Sequence, residues 1–562
     1  MTNKNTILLG ILSVFLLSSC SEKKFSSSRS QSSTTGWDYN NRKQGGFEVR
    51  DAFEQTPGPG LVFIEGGKLT MGRVEEDVMS DWNNISRTVN VTSFYIDANE
   101  VRNLDYLEYL DWIKRHYIYE NDIYRTSQVS IEDGIAIYEK ALPDTLVWRD
   151  KLGENEMFVN NYLRHPAYRE YPVVGISWEQ ANDYCLWRTD RVNERILINA
   201  GILLEEGHVD RDPDYIFTTE AYLYGDEDYH TAIINDQLKL RVKNKKDVKA
   251  NDEGRYANMS DGLLLPNYRL PTEAEWELAA LGYMGDNLEN RKVYPWEGSG
   301  VRNTARQNQG QLLANFKNGR GGNKGTAGKN SDDNYSLTSP VRSYWPNDYG
   351  LFDMAGNVSE WVADAYRPIT ELTTTTDNNP YRGNVFATKK RDSEASPGEN
   401  PYIIDKQGRV VDTLVDPSDN IYRRNYKRSN NINYLDGDIE SQIGGTTDDT
   451  EENGTVDNEN IVIDKRNKDY GRNESDTLSN NSNEMYNFGE TTLVSDRSRV
   501  YKGGSWNDRA YWLSPGARRM LDQARSSNTI GFRCAMDRTG ADKSDLKANQ
   551  NRGTDYSKER GN

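Results

Sequence analysis

The stretch RVYKGGSWNDRAYWLSPGARRM, Arg499 to Met520, has the make-up of a binding or reacting loop. A Gly-Gly pair follows a short apolar alternation and opens onto crowded aromatic and charged side chains. Glycine takes positive φ at little cost, so such pairs build tight turns that bring backbone close to a partner. Yet this loop holds no Cys and no His, and Asp508 is its sole carboxylate. The rest of the chain supplies little to complete it. The four histidines, His116, His165, His208 and His230, have no metal-ligand spacing. Carboxylates pair at Asp332/Asp333 and Glu273/Glu275, as an acidic chain does by chance. No Ser-His-Asp spacing, phosphate-cradling loop or dinucleotide glycine pattern is present.

The three cysteines, Cys20, Cys185 and Cys534, divide into one near the start and an even pair. MTNKNTILLGILSVFLLSSC carries an early Lys and an apolar run from Ile7 to Leu17, too short to span a bilayer and shaped like a secretory signal. Its end, Leu17-Ser18-Ser19-Cys20, resembles the lipobox of bacterial lipoproteins. That resemblance implies cleavage of residues 1–19, lipidation of Cys20 and, with Ser21 rather than Asp following, a periplasm-facing anchor in the outer membrane. Export places Cys185 and Cys534 in an oxidising compartment, where one structural disulfide is the simplest account and two buried thiols the alternative.

The elements that would position the loop are spread over 562 residues, of which only 35% are hydrophobic. That composition fits one folded domain with long polar insertions rather than several packed domains. The net charge of −18 excludes a nucleic-acid partner, whose phosphates need a basic face. A Ser- and Asn-rich tether over 20–57 precedes an apolar alternation, a Gly-Gly turn and a second alternation in GLVFIEGGKLTMG. Leu104, Leu107, Leu110 and Ile113 predict a helix with one apolar side. Capping boxes at Ser177/Gln180 and Thr272/Glu275 start two more helices. On the first, Ala181, Tyr184, Cys185 and Arg188 share a face; on the second, Ala274, Leu278 and Leu281 do. Polar insertions are expected near 114–165, 192–262 and 367–495, the last partly disordered around TTTTDNN and GGTTDDTEENGTVDNEN, and a disordered tail at 539–562.

The islands GLVFIEGGKLTMG, FYIDANEV, PVVGISWEQANDYCLW, RLPTEAEWE, YPW, SPVRSYWPNDYGLFDMAGNVSEW, VYKGGSW and IGFRCA, in this order, resemble the signatures of the formylglycine-generating-enzyme, or sulfatase-modifying-factor, family. The resemblance implies an α+β, loop-rich domain of the complex C-type-lectin-like kind over 58–538. Enzymes of that family oxidise a substrate cysteine with two copper-binding cysteines placed after the Gly-Gly-Ser turn; aligned there, this chain has Asp508 and Leu513. Neither supplies a soft thiolate for copper(I), so the chain is expected to be no enzyme. Relatives that use iron hold it with three histidines, which this chain does not group, so no iron is expected. The resemblance also implies a Cys185–Cys534 disulfide and structural Ca²⁺ held by hard oxygen ligands. The first calcium set would be Asn315, Phe316, Asp333 and Tyr335; the second, Asp353, Gly356, Val358 and Glu360.

A lipid-anchored, catalytically emptied member with a large Asn/Asp-rich insertion resembles the gliding-motility lipoproteins of Bacteroidetes, the J type more than the shorter K type. That implies a structural role in the gliding and type IX secretion machinery, with other envelope proteins and lipoproteins as partners. Trp506, Asp508, Arg509, Tyr511, Trp512, Arg518 and Arg519 would then flank a partner-binding surface. A calcium-dependent glycan- or peptidoglycan-binding lectin is the alternative, and a residual enzyme using Asp508 as acid or base a more distant one.

Overall fold

A computed structural model describes residues 55–72, 84–224 except 85, 151 and 152, 257–318 except 258 and 283–291, 337–366 and 497–540, with short pieces at 32, 34–39, 230, 233, 387–390, 402–403 and 409–414. Cys20, the cleavage site, the tail beyond 540 and most of 367–495 lie outside the described residues.

Two four-stranded sheets organise the fold. The first runs β1 (Leu61–Ile64), β4 (Phe94–Asp97), β12 (Ala535–Asp537) and β5 (Tyr268–Arg269), all antiparallel. The second runs β10 (Arg519–Asp522), β9 (Ser498–Lys502), β6 (Ser359–Ala365) and β11 (Ile530–Gly531), with β11 parallel to β6. Both sheets therefore need the segment after residue 497. The alternation in GLVFIEGGKLTMG does not fold back as a hairpin. β2 (Gly67–Met71) pairs instead with β3 (Arg87–Val91). Gly66 makes the change of sheet possible, because a Cβ there would lie 2.3 Å from the Ser93 nitrogen.

Helix α1 (Asn103–Ile113) buries Tyr106, Tyr109, Leu110 and Ile113, while Leu104 is exposed. The expected stripe at three-residue steps drifts round a 3.6-residue helix; the buried face instead follows the i, i+3, i+4, i+7 spacing. The region read as a first insertion packs on the core as α2 (Ile131–Ala141), a 3₁₀ turn (Thr145–Trp148) and α3 (Glu156–Asn161). The Ser177 capping box starts α4, which runs from Trp178 to Asn199, well past the point where the second insertion was expected. With α5 (Thr219–Tyr224), its end builds a separate apolar core from Leu197, Ile202, Leu203, Phe217, Tyr222 and Leu264. The Thr272 box starts α6 (Glu273–Leu281), which is buried on every side rather than one. Its three glutamates are admissible because each is paired: Glu273 and Glu277 with Lys502, Glu275 with Arg269. Glu273 and Glu275 thus belong to different ion pairs and are not a carboxylate dyad. Within the third insertion, β7 (Ala387–Lys389) and β8 (Asp412–Leu414) pair antiparallel, and Arg409 comes within 3.9 Å of Asp190 on α4. Among the described residues no helix is long and apolar enough to cross a membrane.

Candidate functional site

Gly503 and Gly504, at φ of +93° and +67°, turn the chain out of β9 into the loop that carries Asp508 and Leu513. A Cβ on Gly504 would meet the Trp512 carbonyl at 2.8 Å, so the turn needs glycine for space as well as for φ. Three backbone hydrogen bonds fasten the loop to its neighbours. Gly356 N donates to Gly503 O (2.9 Å), Trp506 N to Asn357 O (2.8 Å), and Lys317 N to Asp508 O (2.8 Å).

Asp508 is not a free acid. The Arg519 guanidinium donates to both its oxygens at 2.7 Å, and Ser505 Oγ donates to Oδ2. Arg519 also donates to Ser359 Oγ and lies over the Tyr501 and Trp512 rings. Leu513 is fully buried among Tyr294, Leu312, Ala314, Phe316 and Ala355. The pair at these positions is thus one neutralised carboxylate and one core side chain.

Of the residues expected to face a partner, Arg509 is exposed, and Trp506, Asp508, Tyr511, Trp512 and Arg519 are half-buried. Trp506 donates its indole N–H to Asn528 O and stacks with Trp148 at 6.3 Å between ring centres. Arg518 is a correction: only 1% exposed, it pairs with Glu273 at 3.0 Å beneath the loop. A buried guanidinium needs a carboxylate partner, and α6 provides one.

For the first calcium set, Asp333 and Tyr335 lie outside the described residues. Asn315 is fully buried; its Nδ2 donates to Leu337 O at 2.7 Å, while its Oδ1 has no hydrogen-bond partner among the described residues. A buried acceptor left without a donor is costly, and a hard cation would satisfy it. Asp333, the carboxylate of that set, lies outside the described residues, so Asn315 Oδ1 is the described side-chain part of the expected site. The second set sits in strained backbone: Arg342, Asp353 and Asn357 are the non-glycine residues with positive φ among those described. Gly356 and Val358 lie between Asp353 and Glu360, but the Glu360 carboxylate is already committed. Arg533 donates to both its oxygens at 2.6 Å, and Trp276 Nε1 to Oε2 at 2.7 Å. Asp353 is pushed up to about 6, first by burial and despite its hydrogen bond from Arg342 N, with Glu360 adding to the rise. Glu100 is pushed well above its usual range by burial and then by Asp353 and Glu360. It accepts from Asn357 Nδ2 (2.6 Å) and Val358 N (3.1 Å). Among the described residues no group of three or more His, Cys, Asp or Glu is arranged to hold a metal.

The histidines are likewise separate. His116 lies 3.4 Å from Glu206, His230 bonds Tyr222 O, and His165 and His208 accept from nearby backbone amides. Cys185 on α4 and Cys534 just before β12 are both buried, with their sulfurs 3.4 Å apart. They stand as free thiols in contact, so the expected bond is not formed in the structure.

One feature had no signal in the sequence. A cleft of about 760 Å³ opens between the start of α1, the exposed side of α4 and residues 56–60. Its guanidiniums are largely matched: Arg102 by Asp105 and Glu170, Arg188 by Asp97.

Comparison with known proteins matches this architecture to one family. The profile of the sulfatase-modifying factor enzyme 1-like domain covers residues 46–409. The formylglycine-generating enzyme of Mus musculus is 24% identical over 314 residues, 54% of this chain and 58% of that protein. The chain thus spans little more than half the length of that relative. The inactive C-alpha-formylglycine-generating enzyme 2 of Mus musculus is 25% identical over 323 residues, 55% of this chain and 70% of that protein. Among solved structures, Treponema denticola variable protein 1 aligns over 85% of this chain and 94% of its own, at 16% identity and a TM-score of 0.31. With well over half of its length matched, the chain belongs to the sulfatase-modifying factor, or formylglycine-generating-enzyme, family.

Proposed function

We propose that this chain is a non-catalytic member of its family, a lipid-anchored structural component of the gliding-motility and type IX secretion machinery. The observation that carries the non-catalytic part is the pairing after the Gly-Gly-Ser turn. Where the family's enzymes place copper-binding cysteines, Asp508 is neutralised by Arg519 and Leu513 is sealed in the apolar core. Neither offers copper a soft ligand, and a carboxylate held at both oxygens is a poor acid or base. The family's inclusion of a relative named inactive is compatible with this reading. Calcium at Asn315 would act structurally, stapling loops through hard oxygen ligands.

The scaffold role rests on the lipobox ending at Cys20, on the long polar insertions and on the half-buried Trp506, Tyr511 and Trp512 beside exposed Arg509. Residues of these types dominate interface energetics. The test is a pull-down from crosslinked cells carrying a C-terminal tag, comparing wild type with Cys20→Ala by mass spectrometry. A stoichiometric set of envelope proteins, dispersed when the anchor is lost, is the expected result. A chain that arrives alone sinks the scaffold reading, and calcium-dependent retention on glycan would then put the lectin reading in its place.

A further inference from the structure

Two turns from the regions read as insertions, 119–125 and 205–213, build a surface of their own. Neighbouring residues fasten them together. Thr126 Oγ1 donates to Asp214 O at 3.1 Å, and Ser127 donates to both Asp214 carboxylate oxygens, from its amide at 2.6 Å and its hydroxyl at 2.8 Å. Gly207, at φ +79°, lies against Ile123, whose Cδ1 would be 3.2 Å from a Cβ placed there. The turns nevertheless hold apolar side chains out in water: Val209 is 97% exposed, Ile123 67% and Tyr119 48%. Both turns line a pocket of about 210 Å³, walled by Ile123, Tyr124, Pro213 and Ile216, with Glu206 as its carboxylate beside His116.

The hydrogen bond that Glu206 accepts falls on Oε1, from Arg191 Nη1 at 2.9 Å, and His116 Nε2 lies 3.4 Å from the same oxygen. Among the described residues, Oε2 accepts no hydrogen bond, and the side chain is 26% exposed. Burial disfavours its charge, but the bond from His116 and the Arg191 guanidinium hold the carboxyl well below the usual range, so it stays ionised. The two turns carry six carboxylates against two arginines. Both arginines are committed: Arg211 pairs with Glu194 at 2.6 Å, and Arg125 donates to Val129 O at 3.0 Å.

We propose that this pocket receives a lysine or arginine side chain from an extended segment of a partner protein, whose apolar neighbours lie on Ile123 and Val209. The apolar walls cover the methylene stem, and Glu206 Oε2 takes the charged head. The acidic turns draw a basic segment in and repel an acidic one. The exposed isoleucine and valine lose their contact with water only when such a segment lies over them. The site uses none of the residues around Trp506, so it stands independently of the scaffold reading given above.

The test uses the full chain and blocked synthetic peptides in which leucines flank a central lysine, arginine, glutamine or glutamate, with binding read by fluorescence anisotropy at low and high salt. The lysine and arginine peptides are expected to bind roughly tenfold tighter than the glutamine peptide, the gain from one charge-assisted bond. Most of that margin disappears at high salt. Glu206→Gln removes the preference for a cation. Because Glu206 also holds Arg191, a second variant changes only exposed side chains: Ile123→Ser with Val209→Ser weakens the lysine and glutamine peptides alike. Equal binding of the four peptides, preference for glutamate, or no binding overturns the proposal. So does finding that the serine pair leaves peptide binding intact but abolishes self-association in sedimentation, or binding to phosphatidylethanolamine–phosphatidylglycerol vesicles. Those outcomes assign the turns to a second copy of the chain or to lipid. A cation-selective pocket in a chain that pulls down no envelope protein upholds the pocket and refutes only the scaffold reading.

Discussion

Asp364, at the end of β6, is placed to destabilise the fold whenever it is charged. It is buried, and its Oδ2 accepts from the Glu273 amide at the start of α6. Burial, and then the neighbouring Glu273 charge, push its carboxyl from 3.8 up to about 7, against the pull of that amide and of Arg518. A carboxyl whose pKa is higher folded than unfolded stabilises the fold fully below the unfolded value. That contribution is lost as pH rises from 3.8 to about 7. The difference of about three pKa units corresponds to about 4 kcal/mol at slightly alkaline pH, a large share of a typical domain's stability. Asp364→Asn keeps an oxygen for the Glu273 amide and removes the charge. Urea denaturation of both proteins at pH 4, 6 and 8 isolates the effect as the difference between them. The variant is expected to match wild type at pH 4 and to exceed it by up to about 4 kcal/mol at pH 8, with an unchanged denaturant slope. A variant equally destabilised at every pH would refute the reasoning. It would mean that the Asp364 charge is held by Arg518 as a favourable ion pair.

One further substitution and one redox measurement probe the same core. Glu360→Gln strands the fully buried Arg533, which now donates two 2.6 Å bonds to that carboxylate, and should cost about 3–5 kcal/mol in the same assay. A loss below about 1 kcal/mol would mean that Arg533 finds another acceptor. If the chain is exported, as proposed, Cys185 and Cys534 are expected to close into a disulfide, given buried sulfurs in contact across 349 residues of chain. Mass spectrometry without reductant should read two hydrogens fewer, and reduction should cost about 2–5 kcal/mol of stability. Two free thiols in protein recovered from cells would show the pair to be a packing contact.

What was legible in the sequence was local. The capping boxes at Ser177 and Thr272 each lie within four residues, and both start their helices as read, with Ser177 accepting from Gln180 N and Thr272 from Glu275 N. Cys185 falls on the buried face that the α4 spacing predicts. What was not legible depended on distant partners. β1 and β2 read as a hairpin because the sequence cannot show that β4 and β3 claim them separately. Arg518 reads as a surface arginine until Glu273 is seen beneath it. The core around Leu197, Phe217 and Leu264 is hidden because its apolar residues are scattered through a charged stretch, without a period to betray them. At the site, the glycine turn and the absence of cysteine from the loop were plain. The Asp508–Arg519 pair was not, although both residues stood in the same quoted stretch.

On the non-catalytic reading proposed above, that pair accounts for a loop that keeps its form whatever stands at residue 508. The shape of residues 503–508 is set by Gly503 and Gly504 and by three bonds that use only backbone atoms. None of these depends on the side chain at 508 or 513. Change at those two positions is therefore constrained only by burial and charge. Leucine meets the first by joining the apolar cluster around Phe316, and aspartate meets the second by taking Arg519 as its counter-ion. Arg519 in turn is braced by the Tyr501 and Trp512 rings and by Ser359 from β6. The loop is thus tied through Arg519 to the second sheet and through Lys317 to Asn315, while its tryptophan stays half-exposed. Trp506, held by Asn528 and Trp148 on its inner side, keeps its remaining face at the surface, where the scaffold reading proposed above places a contact.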